Sequence, residues 1–168
     1  MTNPVDLVSN AFTNKHPAFM PYFTLGYPDY ERSLQILEAC AAAGSDMMEL
    51  GIPFSDPLAD GPTIQLANQR ALKAGANMGQ TLQMVRDFRT ENQDTPIVLM
   101  GYYNPVLAYG PEKFAQDTAE AGVDGFILVD LPPEEDKEFR ALCQQNNLDL
   151  IRLITPTSDE TRLPILLE

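Results

Sequence analysis

Five short apolar runs, each followed by a stretch of helical spacing, leave this chain few folds to choose from. The runs are Ala18 to Leu25, Asp46 to Leu50 (DMMEL), Ile97 to Met100 (IVLM), Gly125 to Val129 (GFILV) and Leu148 to Ile154 (LDLIRLI). Between them, Leu34, Leu37 and Ala41 recur at helical steps before Gly44, and Met78, Leu82, Val85 and Phe88 do so again. Such spacing puts apolar side chains on one helix face, and glycine just beyond is a common stop. Further helices are predicted over Thr63–Lys73, with Pro62 in a first turn, over 111–121 before Gly122, and over Glu135–Gln145. Gly101 to Gly110, rich in Tyr, Asn and Pro, reads as a loop. Thr157 or Ser158 reads as the cap of a last helix that Pro164 interrupts.

Strands too apolar to face water on either side belong in a parallel sheet covered by helices, an α/β fold. The two standard forms are an open doubly wound sheet and a (β/α)₈ barrel. A nucleotide-binding open sheet carries a glycine-rich turn after its first strand. Here that turn is LGYPDYERS, with one glycine. The long polar loops all follow strand C-termini, where both forms place function. The barrel is favoured, yet five strands cannot close one, and a whole barrel takes about 250 residues. Residues 1–168 are therefore expected to be a single domain holding about the first five βα units of a TIM-type barrel.

The 24 Asp and Glu against 11 Lys and Arg leave a net charge of −13. Phosphate backbones are bound mainly through Lys and Arg, so nucleic acid is excluded as a partner. No run approaches the roughly 20 apolar residues of a membrane helix, and the polar start lacks a secretory core. Cys40 and Cys143 lie far apart, outside any metal-like spacing, and the single histidine, His16, forms no cluster. A cytoplasmic protein with free thiols and no metal is expected.

Chemistry concentrates in the loop after the second run, GIPFSDPLADGP. Glu49 stands among Met47, Met48 and Leu50, where partial desolvation raises a carboxyl toward the range of a general acid or base. Asp60, eleven residues on, precedes a helix whose N–H groups favour an ionised partner. Plainer readings stand beside these. A glutamate at a strand end is often solvated, Asp60 fits an ordinary helix cap, Asp56 a turn, and the prolines a stiff loop. From the residues alone the site is one for proton transfer, its reaction open.

The segment MELGIPFSDPLADGPTIQ (48–65) resembles the signature of the tryptophan synthase alpha subunit family. The likeness continues in FTLGYPD (23–29), MGYYNPV (100–106), AGVDG (121–125) and VDLPPEE (129–135). It implies a (β/α)₈ barrel of which about a third lies outside this chain. It also implies a lyase of tryptophan biosynthesis that cleaves indole-3-glycerol phosphate to indole and glyceraldehyde 3-phosphate without a cofactor. By the same likeness Glu49 is the acid/base and Asp60 the acceptor of the indole N–H. Tyr22, Met100, Tyr102, Val129 and Leu153 match the indole pocket, though core packing would also explain Met100 and Leu153. Tyr22 stands where the family carries phenylalanine. Pro53, Asp56, Pro57, Asp130 and Pro132 match segments facing a beta subunit, in an α₂β₂ complex, that carries pyridoxal phosphate. The phosphate grip after strands seven and eight has no match here. Two alternatives stay open: another phosphate-binding barrel lyase or isomerase, and a catalytically incomplete piece that at most docks on the beta subunit.

Overall fold

All five expected strands form, and they pair in the order in which they occur. In the computed structural model, which describes residues 4–13 and 17–167, these are β1 (Tyr22–Thr24), β2 (Met48–Gly51), β3 (Ile97–Gly101), β4 (Gly125–Leu128) and β5 (Asp149–Ile151). His16 lies outside the described residues. The sheet runs β1-β2-β3-β4-β5 with every pairing parallel. A doubly wound sheet reverses its strand order part-way, whereas a barrel wall continues in sequence, as here.

The helices are α1 (Pro4–Asn10), α2 (Tyr30–Ala42), α3 (Pro62–Lys73), α4 (Met78–Arg89), α5 (Tyr103–Tyr109), α6 (Pro111–Ala121), α7 (Lys137–Gln145) and α8 (Leu163–Leu166). Local chemistry sets their ends. The Asp29 carboxylate accepts from Arg32 N at 2.9 Å and Asn77 Oδ1 from Gln80 N at 3.1 Å, the side-chain capping that helix starts favour. Gly122, at φ +92°, turns the chain out of α6 in a left-handed conformation that a side chain resists.

Alternation along the strands divides the apolar residues between two faces. Leu50, Leu99 and Phe126 join Leu37, Leu82, Phe88, Phe114 and Phe139 in the layer between sheet and helices. Val98 and Ile127 form a second cluster with Met47 and with Val8 and Ala11 from the α1 region. Met100, Val129 and Ile151 pack against that cluster. This second face is the inner wall of the curved sheet.

Six expectations need correction. The 101–110 segment is not all loop, because Pro105 sits in the first turn of α5, where no N–H is missed. Pro164 likewise lies in the first turn of α8 and starts that helix rather than interrupting it. There Asp159 Oδ1, not Thr157 or Ser158, takes the N–H groups of Thr161 and Arg162. β1 keeps only the last part of its predicted run, and α7 begins two residues late. Asp60 does not cap α3: the N-cap is Gly61, which has no side chain to give.

Candidate active site

The inner wall carries the candidate residues in successive rows along the strands. Glu49 pairs in register with Tyr22 on one side and Val98 on the other, so all three project from the same face. One step further along, Thr24, Gly51, Met100, Ile127 and Ile151 form the next row. The two-residue period then brings Tyr102, Val129 and Leu153 to that side.

Glu49 is half-buried, and loss of water pushes its carboxyl above the usual range. A rise is the direction of shift that a carboxyl serving as general acid or base needs. The loop after β2 folds back over the wall: Ala59 N–H donates to the Tyr102 hydroxyl at 2.8 Å, which brings Asp60 beside Tyr102. Pro57 O accepts from Asp60 N at 3.1 Å, and Asp60 O accepts from the Gln65 side chain at 3.0 Å. Three hydrogen bonds thus hold Ala59 and Asp60 along the loop's return. Burial raises the Tyr22 hydroxyl, a hydrogen bond with Thr24 opposes the rise, and the charges of Asp60, Tyr102 and Glu49 add to it. Both carboxyls therefore lie near one hydroxyl, Glu49 from within β2 and Asp60 from the returning loop.

The remaining candidates divide. Tyr102 is buried and Met100 and Val129 are half-buried, but Leu153 lies beyond β5 and is 51% exposed, so core packing does not account for it. Val129 and Leu153 line a cavity of about 610 Å³ with Asp130, Arg152, Ser158 and Arg162. Glu49 lies outside that cavity, on the inner wall. Asp56, Asp130 and Pro132 are exposed, whereas Pro53 and Pro57 are buried and shape the loop from within. Asp130 also has a structural duty, since its Oδ1 accepts from Tyr103 N at 2.7 Å.

Four residues escaped the sequence reading. Phe54 packs on Tyr102 with ring centroids 5.3 Å apart. Gly51 and Thr24 flank the Tyr22 side chain on the wall. Leu58, at 91% exposed, forms the tip of the returning loop, and an apolar residue amid FSDPLADGP was the one visible signal. Among the described residues, no group of three or more His, Cys, Asp or Glu is placed to hold a metal, and no helix is long and apolar enough to cross a membrane.

Residues 8–168 match the tryptophan synthase alpha chain family. The chain belongs to that family. A crystal structure of tryptophan synthase subunit alpha from Legionella pneumophila is 41% identical, with a TM-score of 0.92 over 99% of this chain and 63% of that one. A tryptophan synthase complex from Pyrococcus furiosus is 39% identical, TM-score 0.84, over 89% of this chain and 61% of that one. A tryptophan synthase from M. tuberculosis is 38% identical, TM-score 0.86, over 92% and 61%. This member of the family thus spans somewhat less than two thirds of the length of these relatives, and its five βα units are part of their TIM-type barrel.

Proposed function

We propose that this alpha-chain site performs the lyase reaction of tryptophan biosynthesis, the retro-aldol cleavage of indole-3-glycerol phosphate to indole and glyceraldehyde 3-phosphate. Glu49 protonates C3 of the indole ring and assists removal of the proton from the adjoining side-chain hydroxyl. The ring nitrogen then takes up the positive charge, the carbon–carbon bond breaks toward it, and the hydroxyl carbon becomes the aldehyde. Asp60 accepts the indole N–H and offsets that charge. Tyr22, Met100, Tyr102, Val129 and Leu153 supply the walls for the ring. The observation that carries this reading is the desolvated Glu49 carboxyl sharing the Tyr22 hydroxyl's surroundings with Asp60.

In this reading no cofactor is used in the chain itself. Asp56, Asp130 and Pro132, with the prominent Leu58, meet a beta subunit that carries pyridoxal phosphate, while Pro53 and Pro57 hold the loop in shape. Relatives solved as tryptophan synthase complexes support that partnership, in α₂β₂ form. Cys40 and Cys143 are free thiols, in keeping with the cytoplasm.

The test is indole release from indole-3-glycerol phosphate by this chain and by the protein at its relatives' length, each with and without the beta subunit. Release by the longer protein, accelerated by the partner, is expected. No release from either sinks the reading. Partner binding by this chain without release would make it a docking piece that needs later βα units to grip the phosphate.

A further inference from the structure

Tyr22 brings to the wall a hydroxyl that the reaction above leaves idle. Its ring lies across Gly51 on the neighbouring strand: a Cβ there would stand 2.3 Å from Tyr22 Oη, 2.9 Å from Cζ and 3.2 Å from Cε2. Gly51 does not take a positive φ, so position 51 needs glycine for space and not for backbone freedom. Because Gly51 follows Glu49 by two residues on the same face, the hydroxyl stands one step above the glutamate. On its β1 side is Thr24, the register partner of Gly51, whose buried hydroxyl is left with the Tyr22 hydroxyl as its partner. Toward the loop stand Tyr102, fixed through Ala59 N, and Asp60. Burial keeps the phenol protonated well above neutral pH, so it is a donor. Two hydroxyls paired with each other, near the Glu49 and Asp60 carboxyls, keep further hydrogen-bonding capacity that a polar ligand atom can use.

We propose that Tyr22 and Thr24 form a polar notch, kept open by Gly51, that hydrogen-bonds an oxygen on the C3 side chain of the indole ligand. Tyr22 is then a specificity and positioning residue. The notch holds a substrate whose ring carries an oxygenated side chain and loses its grip when cleavage leaves bare indole. This rests on the assignment of the wall as an indole site and adds the discrimination between substrate and product.

The experiment measures, by calorimetry on the protein at its relatives' length, the affinities of indole and of 3-(2-hydroxyethyl)indole. Wild type should prefer the hydroxyethyl compound. Tyr22→Phe keeps the ring and should weaken that compound about five- to tenfold while leaving indole unchanged. Thr24→Val should move the ratio the same way, and Gly51→Ala should weaken both ligands by expelling the ring. A wild-type ratio near one, or a ratio that Tyr22→Phe leaves unmoved, overturns the notch even if cleavage is lost on Glu49→Gln. Absence of Glu49-dependent cleavage overturns the underlying reading instead.

Discussion

Arg89 Nη2 donates to Asp124 Oδ2 at 2.8 Å with both side chains buried, Asp124 standing one residue before Gly125, which shares the register row of Glu49 and Val98. Asp124 Oδ2 also accepts from Ile97 N at 2.7 Å, and Arg89 reaches Gly122 O and Thr95 O, each at 2.8 Å. One ion pair thus ties α4 to the starts of β3 and β4. Burial pushes the Asp124 carboxyl up and the Arg89 guanidinium down, so desolvation outweighs the pairing at both partners.

Breaking such a pair on one side strands a buried charge. Asp124→Ala should cost about 3–5 kcal/mol in urea unfolding, while joint replacement of Asp124 and Arg89 by Leu and Met should recover most of it. A single-variant cost under about 1 kcal/mol would show the pair to be solvated.

Asp130 offers a separation of two roles. Its carboxylate accepts from Tyr103 N at the start of α5, yet it is exposed and carries a charge. Asp130→Ala should cost about 1 kcal/mol and speed hydrogen exchange at the Tyr103 amide. Asp130→Asn keeps an acceptor, so stability should hold while affinity for the beta subunit falls. Unchanged affinity in the Asn variant would leave Asp130 a capping residue only.

Tyr102 links the returning loop to the wall through Ala59 N. Tyr102→Phe should therefore cost only roughly 0.5–1.5 kcal/mol, because water can reach the exposed Ala59 N–H. Indole release should fall further, by about ten- to a hundredfold, since Asp60 loses its placement. Stopped assays beside thermal melts make the comparison, and a loss of rate no larger than the loss of stability implies would count against the link.

How much of this was legible beforehand depended on the kind of signal. The strands IVLM and GFILV are apolar on both faces, which only a buried sheet accommodates, and they form where that pattern lies. Glu49 was visible because a charge breaks an apolar run. Pro105 and Pro164 misled because proline marks either a helix start or a stop, and which it is depends on whether its missing N–H had a partner. The Tyr22–Gly51 contact had no local signal at all. It joins residues 29 positions apart through strand register, which is created by folding.

Glu49→Gln separates chemistry from folding most sharply. Without a titrating proton the variant should lose indole release by about 10²–10⁴-fold and keep its far-UV spectrum. Burial raises the Glu49 carboxyl in the folded state above its ordinary 4.5, so the folded chain holds that proton to higher pH than the unfolded chain does. The stability tied to the protonated form is complete below 4.5 and fades as pH rises through the folded value. Glutamine suffers no such loss. The Tm advantage of the variant over wild type should therefore grow from pH 4 toward pH 8, opposite in sign to its effect on turnover. An advantage that stays flat across that range would mean Glu49 is fully hydrated, and would remove the desolvation on which its proton-transfer role depends.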